Sequence, residues 1–195
     1  MPAQPTLRTP FLIVNPKAYL GGADTLRLAL LTNELAQEFD LDVIFTSQQA
    51  YIVEIARRTT HLMICAQHMD PIVPGRGMGL TLPEPLAEAG ATAVVLNHAE
   101  HPITLAELDA TMRRADDVGL TTIVCADSVR QCRAVAQLEP KVMICEPTAN
   151  IGTGAMDTGD YIVRSTRAVK EIDPSILVIQ AAGVSTGADI TRVDA

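Results

Sequence analysis

Basic side chains are in the minority in this 195-residue sequence: 15 against 23 acidic, a formal charge of −8. No basic run offsets that excess, so the surface repels a nucleic-acid backbone and nucleic acid is not an expected partner. An anionic substrate must then be held by local donors rather than by the field of the whole protein. Long hydrophobic runs are missing too. None approaches the roughly 20 residues that span a bilayer, which excludes a membrane helix. The opening MPAQPTLRTP has no long apolar stretch, so a secretory signal is not expected. Cysteine is sparse. Cys65, Cys125, Cys132 and Cys145 form no C-x-x-C pair and no zinc spacing. They read as small core residues of a reduced, cytoplasmic protein.

What is present is alternation. Seven short apolar runs recur: FLIVN (11–15), LDVIFT (41–46), LMICA (62–66), AVVLN (93–97), TTIVCA (121–126), KVMIC (141–145) and ILVIQA (176–181). Nearly continuous and rich in β-branched residues, they read as strands of a parallel sheet buried on both faces. The intervening stretches read as helices. Over 105–118 the pattern places Leu105, Leu108, Met112 and Ala115 on one face; 24–39 and 158–171 behave similarly. Gly90 and Gly119 stand where helix C-caps are expected.

Strand–helix alternation means α/β, either an open doubly wound sheet or a closed barrel. The polar residues at the strand ends favour the barrel. Asn15, Lys17, Gln67, Asn97, His98, Asp127 and Glu146 all fall at or just past the C-terminal end of a strand, and in a barrel those ends converge on one mouth. The expectation is a single (β/α)8-type domain over 1–195 with about seven βα units and no eighth strand and helix, although a helix signal begins at Ser185–Ile190.

The strongest chemical signal is CEPTANIGTGA (145–155): a carboxylate at a strand end, a proline, then a loop punctuated by Gly152 and Gly154. Glycines there permit close backbone approach, so N–H groups can wrap a phosphate. His98 and His101 flank Glu100 in an H-x-x-H arrangement, but no third ligand is placed by sequence, so no metal is expected.

This segment resembles the E-P-x-x-x-I-G-T-G motif of the triosephosphate isomerase family, which carries that family's catalytic base and flexible lid. Four further segments match in order. VNPK resembles the N-x-K motif of the first strand, AQHMD followed by PGRGMG the subunit-interlocking third loop, LNHAEH the N/G-H-S-E motif, and AAGVSTG the seventh-strand phosphate loop. The AQH-x-D and LNH forms are similar to the short archaeal-type enzymes. The resemblance implies a TIM (β/α)8 barrel and a cofactor-free aldose–ketose isomerase of glycolysis and gluconeogenesis, acting on a small phosphorylated sugar as a homodimer or homotetramer. It implies Glu146 as base and His98 as neutral electrophile, a pairing for which this family is the standard case. The run 99–102 is expected to form a short helix beginning beside His98. Lys17 is implied as the fixed positive charge, Glu100 as its partner, and Asn15 as the residue orienting the substrate oxygen. Ile151, Gly152, Gly183, Val184 and Ser185 are implied to bind phosphate.

The sequence departs from the family pattern at Ala99 (usually Ser), Met78 (usually Thr), His101 (usually Arg), Pro16 (usually aromatic), in the lid tip 148–150, which has no aromatic, and in the missing eighth loop. Two alternatives therefore stay open: an isomerase of another short ketose phosphate, and a non-catalytic barrel homologue used in assembly or regulation.

Overall fold

The computed structural model describes residues 7–150, 160–181 and 187. Among these, strands and helices alternate as the apolar runs predict: β1 (Phe11–Val14), α1 (Gly22–Glu38), β2 (Asp42–Ser47), α2 (Gln49–Arg58), β3 (Leu62–Ala66), α3 (Pro83–Glu88), β4 (Ala93–Leu96), α4 (Leu105–Val118), β5 (Thr121–Ala126), α5 (Val129–Ala136), β6 (Val142–Cys145), α6 (Asp160–Lys170) and β7 (Leu177–Gln180). A 3-10 turn, Thr148–Asn150, follows β6. β3 and β5 occupy the same residues as their apolar runs; β1, β4 and β6 differ by one residue at one end, and β2 and β7 by one residue at each end. The helix signal at Ser185–Ile190 lies outside the described residues, Gly187 excepted.

The chain forms two compact units: Met1–Val95 with Ala110–Thr122, and Leu96–Asp109 with Ile123–Ala195. In the first unit β1 pairs with β2, β2 with β3 and β3 with β4, all parallel. The register sets Ile13 beside Ile44 and Phe45 beside Ile64. In the second unit β5 pairs with β6 and β6 with β7, again parallel, with Cys125 beside Ile144 and Ile144 beside Ile179. The buried character of the runs is met in full by β4, β5 and β6, where every residue is buried. Ile44, Phe45, Ile52 and Ile55 pack the first unit, and Ile123, Met143 and Val169 the second, all completely buried.

Local chemistry explains the helix limits. α4 starts with a capping box: the Thr104 N–H donates to Glu107 Oε2 at 2.8 Å and the Glu107 N–H to Thr104 Oγ1 at 3.2 Å. It stops at Gly119, whose φ of +79° is open to glycine at no steric cost, with the Leu120 N–H reaching back to the Ala115 carbonyl at 2.9 Å. Gly90, at φ +101°, ends α3 against α2; a Cβ there would lie 2.6 Å from that of Ala56. Leu108, Met112 and Ala115 are buried, but Leu105 is 56% exposed. It opens the first turn of α4, where the stripe has not yet reached the core. All four cysteines are buried and outside any disulfide, Cys65, Cys125 and Cys145 in apolar runs and Cys132 in α5.

Candidate active site

β6 delivers its carboxylate through backbone hydrogen bonds. The Glu146 N–H donates to the Ala126 carbonyl at 2.9 Å, continuing the strand ladder one residue past Cys145. The side chain is only 13% exposed, and its Oε2 lies 3.7 Å from Nε2 of His98, itself 14% exposed. The two residues that the sequence singles out as base and electrophile, 48 positions apart, thus face each other within one unit.

His98 is held in a defined tautomer. The backbone N–H of Glu100 donates to His98 Nδ1 at 3.2 Å. A nitrogen that accepts an N–H carries no proton, so a neutral ring bears its hydrogen on Nε2, the atom that faces Glu146. The expected helix at 99–102 is not formed. A single turn stands there, closed by the His101 N–H on the His98 carbonyl at 2.8 Å. Pro102 brings no N–H to continue it and restricts His101, which rules out a longer helical run.

Asn97 sets up this turn. Its φ is +57°, a left-handed conformation that asparagine tolerates better than most residues. Its side chain bridges two segments: Nδ2 donates to the Cys125 carbonyl at 3.0 Å, and Oδ1 accepts the Ile103 N–H at 3.1 Å. The His98 turn is thereby tied to the end of β5.

In the first unit, Lys17 also adopts a positive φ, +49°. Two hydrogen bonds hold it there. The Lys17 N–H donates to Asn15 Oδ1 at 2.9 Å, and Gln67 Nε2 donates to the Lys17 carbonyl at 2.9 Å. Gln67 follows β3, so one strand end braces the loop after another. Sequence reasoning marks Gln67 and Asn97 as polar strand-end residues without giving either this task. The available signal is chemical type: amides carry both a donor and an acceptor and so can satisfy two backbone groups.

Behind Glu146 the environment is apolar and thiol-rich. The Cys132 and Cys145 sulfurs are 3.4 Å apart, and the Cys132 sulfur lies 3.8 Å from the Tyr161 hydroxyl. The hydrogen bond shared with Cys132, and then burial, push the Cys145 thiol far above its ordinary range. Burial likewise pushes the Tyr161 hydroxyl up, so it remains a donor. A cavity of about 440 Å³ adjoins the site; Asn97, Asp127, Gln131, Glu146 and Thr148 line its polar side. Among the described residues no group of three or more His, Cys, Asp or Glu is placed to hold a metal, and no helix is long and apolar enough to cross a membrane. Ile151, Gly152, Gly183, Val184 and Ser185 lie outside the described residues.

Comparison with known proteins gives this constellation a family. The family model described as triosephosphate isomerase matches residues 10–194. The triosephosphate isomerase of Methanobacterium bryantii is 34% identical over 187 residues, covering 93% of this chain and 82% of its own. That of Halobacterium salinarum is 35% identical over 182 residues (92% and 83%), and that of Methanopyrus kandleri 34% over 190 residues (94% and 84%). With a family model spanning nearly its whole length and its parallel βα units, the chain belongs to the triosephosphate isomerase family and to the TIM-barrel fold class.

Proposed function

We propose that this chain interconverts D-glyceraldehyde 3-phosphate and dihydroxyacetone phosphate through an enediolate, with Glu146 as the base and His98 as the donor to the reacting oxygens. The observation that carries the site assignment is the facing pair: Glu146 Oε2 3.7 Å from His98 Nε2, with Nδ1 already taken by the Glu100 N–H. Glu146 takes the proton from the carbon beside the carbonyl and returns it to the carbon that was the aldehyde. Negative charge develops on the carbonyl oxygen meanwhile, the Nε2–H of His98 is the preorganised donor that meets it, and the proton of the neighbouring hydroxyl passes to that oxygen as the new carbonyl forms. Lys17 supplies the fixed positive charge and Asn15 orients the substrate oxygen. The support for these two roles is the hydrogen-bonded loop that holds Lys17 at a positive φ, beyond the family resemblance itself. Glu100 serves through its backbone N–H and, by resemblance, as partner of Lys17. Phosphate falls by the same resemblance to the backbone around Ile151, Gly152, Gly183, Val184 and Ser185.

Isomerisation of glyceraldehyde 3-phosphate in D2O tests the proton-transfer reading. Dihydroxyacetone phosphate is expected to carry deuterium at the former aldehyde carbon, because a carboxylate base exchanges its proton with solvent. Product wholly free of deuterium would contradict it.

A homo-oligomer and a cytoplasmic location complete the reading. The segment 71–80 presents Val73 at 61%, Met78 fully and Leu80 at 51% exposure, apolar surface that a second copy would cover. Sedimentation should show at least a dimer at micromolar concentration; a monomer would count against it. Four buried cysteines outside any disulfide support a reducing compartment.

A further inference from the structure

Pro147 follows Glu146 and has no N–H. The first backbone donor past the base therefore belongs to Thr148, and whatever accepts it fixes the direction in which the chain leaves the base. That acceptor is Asp127: the Thr148 N–H donates to Asp127 Oδ1 at 2.8 Å. The residue before it, Ala126, accepts the Glu146 N–H at 2.9 Å. Two consecutive residues at the end of β5 thus clamp the chain on both sides of Pro147.

Asp127 is itself immobilised. Its N–H donates to Gln131 Oε1 at 3.1 Å, and its carbonyl accepts the Tyr161 hydroxyl. Gln131 is fixed in turn, because its N–H donates to Ser128 Oγ, the N-cap of α5, at 3.2 Å. Tyr161 lies in the first turn of α6. The structure joins residues on either side of 151–159 to one residue, Thr148 through the carboxylate and Tyr161 through the carbonyl.

We infer that Asp127 is a positioning residue for the isomerisation, setting the aim of the Glu146 carboxylate through the Thr148 N–H rather than touching substrate. The inference rests on the reading of Glu146 as base. What it requires of residue 127 is an acceptor oxygen on a short side chain. Asparagine meets that requirement and alanine does not. A neighbouring negative charge is not required.

Turnover of Asp127→Ala, Asp127→Asn and Tyr161→Phe, beside Glu146→Asp, is the test, run on the full chain well below each variant's melting temperature. Proton transfer is sensitive to misplacement by about 1 Å, worth about 100-fold. Asp127→Ala is expected to lower kcat about 10- to 100-fold with KM within about threefold. Asp127→Asn should restore kcat to within about threefold of the parent. Tyr161→Phe should fall between parent and Asp127→Ala, and it decides the matter should the alanine variant not fold. An unchanged kcat in Asp127→Ala, or in Tyr161→Phe where that variant decides, overturns the inference. So does an asparagine variant as impaired as alanine, or a loss confined to KM. A collapse of Glu146→Asp beside an unaffected Asp127→Ala defeats the positioning role alone. Parent-like turnover in Glu146→Asp removes the base assignment on which it rests.

Discussion

At the start of β1 and β2, charge sits in water; at the end of β5 and β6, it sits in the protein. Arg8 reaches Asp42 at 2.7 Å and Asp40 at 3.1 Å, with Arg8 56% and Asp40 87% exposed and Asp42 alone sheltered, at 20%. Glu146 and His98, by contrast, are 13% and 14% exposed. Around them backbone N–H groups, amides and a tyrosine hydroxyl do the holding. The first region gains little from its charges, because exposed ion pairs are screened and cost side-chain freedom. The second gives up solvation so that a carboxylate and an imidazole face each other in fixed orientation, where electrostatic effects on a reacting group are stronger. Catalysis belongs at the strand ends, where backbone donors and acceptors run out of sheet partners and become available to hold side chains.

The contrast can be broken by substitution. The largest expected effect is at His98. His98→Gln keeps a donor but misplaces it, and kcat should fall about 100- to 10,000-fold with the fold intact by circular dichroism. A loss below tenfold would mean that the imidazole is not the electrophile. Next comes the interior of the second unit. Met143→Ala in β6 empties a completely buried site and should cost about 2–5 kcal/mol in denaturant unfolding. Smaller again is Ser128→Ala, which removes the N-cap of α5 and should cost about 1 kcal/mol.

The smallest effect is expected at Arg8. Hydrogen bonds from Arg8, the largest cause, hold both the Asp40 and the Asp42 carboxyl below the usual range. A depressed folded-state pKa contributes stability that is present above the unfolded value, about 3.9, and lost as pH falls through the folded value. Arg8→Met should therefore lower the melting temperature slightly at pH 7. The difference from the parent should disappear under acid, once both carboxylates are protonated, and shrink in high salt. A large salt-independent difference would show that this region carries more than exposed ion pairs.

Periodicity made the strands legible. β3 coincides with LMICA, which His61 and Gln67 bound, and β5 with TTIVCA, which follows the Gly119 helix stop and ends at Asp127. It misplaced Leu105, since a helical stripe says which face is apolar but not how far along the helix the core extends. The turn at 99–102 shows the same limit: sequence marks a helix start, while Pro102 permits a single turn. Motif order names Glu146 and His98. The roles of Gln67, Asn97 and Asp127 were not legible, because each depends on which backbone group lies opposite. Gln67 takes the Lys17 carbonyl, Asn97 the Cys125 carbonyl and Ile103 N–H, and Asp127 the Thr148 N–H. Those partners lie 6 to 50 residues away in sequence, and no local pattern encodes them.

The central claim is that the carboxylate at the end of β6 moves the proton. Turnover of glyceraldehyde 3-phosphate by Glu146→Asp tests it most directly, because the change keeps the acid and withdraws it by about one methylene, an ångström-scale displacement. The account predicts a kcat lower by about 100-fold or more with an unchanged melting profile. A variant that folds normally and turns over like the parent would contradict it.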